Sequence, residues 1–241
     1  MNRPKIGLLG LSATVVGMMM LTSAAQGATL SWLVLNSSHT TATELKAELI
    51  GEKDSEHVMT HAEVAGLKVV LTCTAFTFNG FSLELGGKVT ENGKVIFSGC
   101  KAYKEAPLTG EYKCTAKSPG QAAGTIETAG LKGGLVLAEG EPQIKAEPLA
   151  GPTGTLKTIR FEGAECVLPE AILVHGTIFL KDCEGFATTH RVKHLIEAGK
   201  MTTLYFGAHT AKQLEVTKLL GSAWVKLGGA HGGLEWSAMD A

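Results

Sequence analysis

The side chains best suited to chemistry in this sequence are its histidines and cysteines. His57 and His61 stand four apart, as do His190 and His194. On a helix that spacing presents two imidazoles to one metal ion. The second pair is the sharper candidate because a helix is predicted around it, with His209, Asp182 and Glu184 as further ligand candidates. Eight histidines in one chain produce such spacings by chance, and a real site also needs a third ligand and ordered outer partners. His190, His194 and His209 are therefore carried forward as metal candidates, and no cofactor is expected.

Five cysteines follow: Cys73, Cys100, Cys114, Cys166 and Cys183. No pair has the CxxC spacing of a recognisable zinc site. In an oxidising compartment such residues pair, although sequence alone does not fix which with which. Short spacing favours Cys100 with Cys114 and Cys166 with Cys183. Cys73 is then left over, and it shares a strand face with Leu67, Val69 and Leu71, so a buried, inert thiol is expected there.

Other chemistries lack local support. The chain has no GxSxG, HExxH or P-loop pattern, and no GxGxxG opens a helix, so the usual signatures of serine hydrolases, metalloproteases, nucleotidases and dinucleotide enzymes are missing. A dispersed triad or carboxylate pair leaves no such signature, which keeps a secreted hydrolase as the rival function. The polar run Lys53, Asp54, Ser55, Glu56, His57 reads as a solvated turn before it reads as a site. Trp32, Trp224 and Trp236 suit a sugar-stacking platform, but in a β protein such residues more often pack. An aromatic content of 6% is low for a dedicated carbohydrate binder.

The elements that must position these groups are strands. Leu67 to Phe78 ends at Asn79-Gly80, Phe81 to Glu91 ends at Asn92-Gly93, and Lys94 to Gly99 leads into Cys100. Asn-Gly supplies the positive φ angles of a two-residue hairpin turn, so a three-stranded meander is predicted. Short strands continue at Gly124 to Thr128, Leu131 to Ala138, Leu156 to Glu162, Ala171 to Lys181, Met201 to Phe206, Ala223 to Leu227 and Leu234 to Trp236. The one helix candidate is Thr189 to Ala198, where Val192, Leu195 and Ile196 share a face. This grammar specifies an all-β fold, an antiparallel sandwich or barrel, in one body or in two β-rich halves. The Pro-bearing stretch Glu139 to Gly154 is the candidate divide, giving halves at 26–145 and 146–241. Phe97-Ser98-Gly99-Cys100 has a faint counterpart in Phe161 to Cys166.

Residues 1–25 read as a signal peptide: Arg3 and Lys5, an apolar run from Ile6 to Leu21, then Ser23, Ala24 and Ala25 at a small-x-small cleavage site. The run is shorter than the ~20 residues a spanning helix needs, and no later stretch is apolar enough to span. Cleavage removes two positive charges and no acid, so the net charge moves from -1 to -3. A nearly neutral chain with scattered Lys and Glu argues against a nucleic-acid partner or a basic membrane patch.

The segments KDSEH (Lys53 to His57), GQAAGTIET (Gly120 to Thr128), CVLPE (Cys166 to Glu170), LKDCEG (Leu180 to Gly185) and GSAWVKLGGAHGGLEWSAM (Gly221 to Met239) resemble a group of uncharacterised secreted bacterial proteins that contain cysteines and are β-rich. The resemblance implies export and a strand-rich body, and it carries no activity or ligand. The expectation is a secreted or cell-surface protein of structural or binding role, non-enzymatic, with an extracellular or cell-envelope partner. Its rivals are the dispersed hydrolase and a histidine-based metal module.

Overall fold

A computed structural model describes residues 30–36, 46–54, 57–64, 67–104, 110–138, 140–168, 171–195, 204–206 and 215–240. The expected leader at 1–25, His209, and Ser55 and Glu56 of the polar run lie outside the described residues. The described chain is dominated by strands: β1 (Leu30–Val34), β2 (Lys46–Lys53), β3 (His57–Val64), β4 (Leu67–Cys73), β5 (Ala75–Asn79), β6 (Ser82–Glu84), β7 (Lys88–Ser98), β8 (Lys101–Tyr103), β9 (Thr115–Lys117) and β10 (Ile126–Glu127). They continue as β11 (Leu131–Ala138), β12 (Glu141–Pro148), β13 (Thr155–Glu162), β14 (Ala171–His175), β15 (Ile178–Lys181), β16 (Thr189–Leu195), β17 (Leu204–Phe206), β18 (Glu215–Leu227) and β19 (Trp236–Asp240). A single 3-10 turn at Gly229–His231 is the only helical element among the described residues. The fold is all-β and antiparallel, as the strand-and-turn pattern predicts.

Eight of these strands close on themselves. β18 pairs with β2, β2 with β6, β6 with β7, β7 with β11, β11 with β12, β12 with β15, β15 with β16, and β16 returns to β18. Closure removes the exposed edges that would otherwise template association. An eight-stranded barrel has a bore that side chains can just fill. That is the case here: Leu49, Val89, Leu131, Ile144, Leu180 and Val225 converge around a void of only ≈ 30 Å³, about enough for one water. Alternation produces this interior directly, since Ala223, Val225 and Leu227 of β18 are buried while Trp224 between them is exposed.

The first half of β18 belongs to a second curved sheet. From β18 it runs through β3 and β4 to β8 on one side, and through β17, β14 and β13 to β9 on the other. Its two ends approach without a full ladder: Tyr112 N–H donates to Ala102 O at 2.8 Å, and Tyr103 and Glu111 form an isolated bridge. Both disulfides sit beside this incomplete closure. Cys73, at the end of β4, bonds Cys100 just before β8, and Cys114, just before β9, bonds Cys166 beyond β13. The loops closed span 27 and 52 residues, which in the chain-entropy model stabilise by about 3.5 and about 4 kcal/mol.

This pairing corrects the one expected from short spacing. Cys100 does not join Cys114, and Cys166 does not join Cys183. In a sheet the nearest neighbour lies across the ladder, and the β4–β8 register sets Thr72 against Lys101, which leaves Cys73 beside Cys100. The free cysteine is Cys183 rather than Cys73. Its thiol donates to Pro142 O at 3.5 Å, and burial pushes its pKa up to about 12, so it is inert at ordinary pH.

Three further expectations change. The segment from Thr189 is strand β16, paired with β15 and β18, not a helix. Asn92-Gly93 does not end a strand, because β7 runs through it: Asn92 has φ 72°, and β11 shifts register against β7 here, with Leu131 opposite Gly93 and Gly133 opposite Val89. The bulge lets β7 leave the barrel wall and pair its second half with β5 and β10. The Pro-bearing stretch is largely strand β12, so the proposed divide at 145/146 falls inside a ladder, and residues from both sides share one core cluster. Asn79-Gly80 does form a turn, with Gly80 at φ 73°.

A separate two-stranded ladder, β1 with β19, lies against the barrel. Trp32 and Trp236 meet edge to face within it at 6.0 Å, and the Trp32 indole donates to Lys88 O at 2.9 Å. Both rings are buried packing residues.

Candidate functional site

Both histidine pairs lie on strands, not on a helix. Strand geometry moves residues four apart to ~13 Å along the chain, whereas a helix would stack them. His190 is buried, its ring lies against Trp236 at 4.2 Å, and its Nε2–H donates to Trp236 O at 2.7 Å. That bond fixes the tautomer and ties the imidazole to β19. The backbone of His194 lies opposite Leu180 and Gly221. Asp182 pairs with Lys193 at 2.8 Å. Among the described residues no group of three or more His, Cys, Asp or Glu is arranged to hold an ion.

Asp54 belongs to a different constellation. β16 and β18 alternate so that Arg191, Ser222 and Trp224 share their outer surface. Arg191 Nε–H donates to Asp54 Oδ2 at 2.6 Å, and the Ser222 hydroxyl donates to the same oxygen. The Ser222 bond first, then Arg191, holds the Asp54 carboxyl below the ordinary 3.8. Beside it Lys226 pairs with Glu52 across the β18–β2 ladder. Trp224 is the one tryptophan left on the surface, 40% exposed. Its neighbours are already bonded to one another.

A cleft of ≈ 450 Å³ lies on the outer wall of the barrel, lined by Glu84, Lys88, Glu91, Lys132, Lys145 and Glu147 around Gly133 and Gly134. Register explains it. Gly134 sits between Lys88 of β7 and Lys145 of β12, so a row of long charged side chains is interrupted by a residue with none. Lys145 reaches Glu147 at 2.7 Å and Lys132 approaches the same carboxylate at 3.9 Å. A Cβ on Gly133 would meet Lys145 O at 2.8 Å, so the close approach of β12 also requires glycine there. The result is a polar trough in which acidic and basic groups balance.

A second pocket, ≈ 350 Å³, is lined by Ser118, Gln121, Glu127, Thr128, Thr155, Lys157 and their neighbours. The Ser118–Thr128 segment forms it by folding onto β13. Ser118 Oγ accepts from Glu127 N–H at 3.0 Å and donates to Thr158 O at 2.9 Å, and Ala129 N–H donates to Leu156 O at 2.7 Å. Glu127 pairs with Lys94 and is bonded by Gln121 Nε2 at 3.1 Å. Beyond a register shift between Thr155 and Lys157, strand alternation puts Lys157 on the same side as Ile159 and Phe161. Lys157 is only 4% exposed, and its Nζ lies 4.9 Å from the centre of the Phe97 ring. Burial alone lowers its pKa from 10.5 to about 8.

Sequence reasoning missed both pockets. A signal for the second was present: in Lys157-Thr158-Ile159-Arg160-Phe161 the lysine occupies a position that strand alternation reserves for apolar side chains. The cleft left only the Gly133-Gly134 pair inside a strand pattern as a trace. The chain matches no protein-family model, no curated protein sequence and no solved structure.

Proposed function

We propose that this chain is exported and acts outside the cytoplasm as a non-enzymatic binding protein, holding a mixed-charge peptide segment in the cleft of Lys88, Lys132, Lys145, Glu84, Glu91 and Glu147. The carrying observation is the interruption at Gly134: it opens a floor of bare strand between balanced charges, where a ligand's own ammonium and carboxylate groups find partners. Balanced charge disfavours polyanions such as nucleic acid. Two disulfides are compatible with an oxidising environment, and no helix among the described residues is long and apolar enough to cross a membrane. The filled barrel bore leaves the outer wall as the place for a ligand.

Titration of the protein with a short peptide of alternating Lys and Glu tests this reading, followed through amide chemical shifts. Shifts confined to Lys88, Gly133, Gly134 and Lys145, together with an affinity loss of roughly tenfold in Lys145→Ala, support it. Saturating peptide that moves none of those amides refutes it. Export is tested separately: protein recovered from culture medium, lacking residues 1–25 and gaining four hydrogens on reduction, is the expected product.

A further inference from the structure

The pocket over Lys157 goes beyond the cleft and is independent of it. A lysine on the apolar face of a strand is costly, because an ammonium ion leaves water without a counter-ion. The surrounding charges do not relieve it. Glu127 of β10 is engaged by Lys94 of β7 and by Gln121. Lys117 of β9 pairs with Glu162 of β13 at 2.9 Å, Arg160 is exposed, and His175 of β14 directs Nδ1 at Gly154 O at 3.1 Å. Among the described residues no carboxylate pairs with the Lys157 amine. What it does have is the Phe97 ring 4.9 Å from its Nζ and a place in the lining of a polar pocket.

An anionic ligand would supply the missing counter-charge, but it would enter against the Glu127 carboxylate in the same wall. A neutral ligand meets no such repulsion. The structure assigns a chemical class to this pocket: we propose that Lys157 captures a small hydroxylated aldehyde or ketone as a reversible imine. The amine lone pair attacks the carbonyl carbon, and the carbonyl π pair moves to oxygen and takes up a proton, giving a carbinolamine. Loss of that oxygen as water, with nitrogen's lone pair forming the C=N bond, completes the exchange of amine plus carbonyl for imine plus water. No oxidant or reductant is consumed. Desolvation supplies the free amine, as in other lysines activated by burial, and Gln121 and the hydroxyls of Thr128, Thr155 and Thr158 line the space for the ligand's own hydroxyls.

The test uses the intact protein with glyceraldehyde and cyanoborohydride at pH 7.5, followed by intact mass and peptide mapping. Adduct is expected at Lys157 at least roughly tenfold faster than at Lys113, whose side chain is 72% exposed, because far more of the buried amine is unprotonated. The labelling rate should rise to half its maximum near pH 8. Glycerol, which has the same hydroxyls and no carbonyl, should leave no adduct. Labelling spread over exposed lysines, with Lys157 unmodified while the circular dichroism stays native, overturns the proposal without needing any variant. Lys157→Met, checked for its fold in the same way, should lose the fast adduct and keep the slow ones; retention of the fast one would also overturn it.

Discussion

Asp54 and Lys157 are opposite solutions to placing a charge on a strand-built body. Asp54 sits on the outer surface of the β16–β18 ladder and collects donors from Ser222 and Arg191. Lys157 sits on the buried face of β13 beside an aromatic ring and, among the described residues, no carboxylate. Pairing drives the first group deeper into its ionised form. Desolvation drives the second toward neutrality, and the two shifts have opposite consequences for folding. A charge paired by hydrogen-bond donors is structural; one left without a counter-ion in a pocket retains free energy that a ligand can claim.

The comparison is broken most severely by removing the buried amine. Lys157 has a folded pKa below its unfolded one, so the unfolded chain binds more protons between about 8 and 10.5, and stability rises with pH across that window. Below about 8 the penalty is present in full, about 3 kcal/mol from the size of the shift. Lys157→Met, which keeps the stem's volume, is expected to stabilise the protein by about 1–3 kcal/mol at pH 7 in urea unfolding, with the gain shrinking as pH rises from about 8 to 10.5. A gain independent of pH would assign the effect to packing. The next perturbation is smaller and concerns the ring. Phe97 is buried and also meets Phe76 at 5.6 Å, so Phe97→Leu should cost about 1–2 kcal/mol. It should also push the Lys157 titration, read by NMR of labelled lysine, further below about 8, because the ring face favours the ammonium form.

The same contrast explains what was legible in the sequence. Alternation reports which face is apolar, so the all-β class and many of the strands followed from it. It does not report which strand lies beside which. Cys114 and Cys166 are 52 residues apart in the chain and adjacent in space because β9 and β13 share a ladder, a fact with no local trace. Val192 and Leu195 fit a helical face, yet His190 and Val192 fit a strand face equally well, and pairing with β18 decided between them. Asn92-Gly93 supplied the positive φ of a turn, but neighbouring β11 made it a bulge. Asp54 was visible only as one member of a polar run, since its partners Arg191 and Ser222 are more than a hundred residues away. Lys157 alone was written in its own segment, as a break in alternation.

The smallest effect belongs to the paired charge. Asp54 titrates below its ordinary 3.8 in the folded chain, so its contribution is present above that value and disappears as pH falls through the lower, folded one. Asp54→Asn keeps the shape but gives up the charged acceptor, and the variant should be slightly less stable than the parent at pH 7. The difference should narrow below pH 3.8 as the parent's own carboxyl protonates. Because the group lies at the surface, added salt should shrink the difference too. Lys157→Met should respond in neither way, since its group is desolvated and titrates at the other end of the scale. Thermal unfolding of both variants at pH 3 and pH 7, with and without salt, separates them. If Asp54→Asn shows no pH dependence below 4, or if salt changes Lys157→Met as much as it changes Asp54→Asn, then pairing and burial are not the physical difference between the two sites.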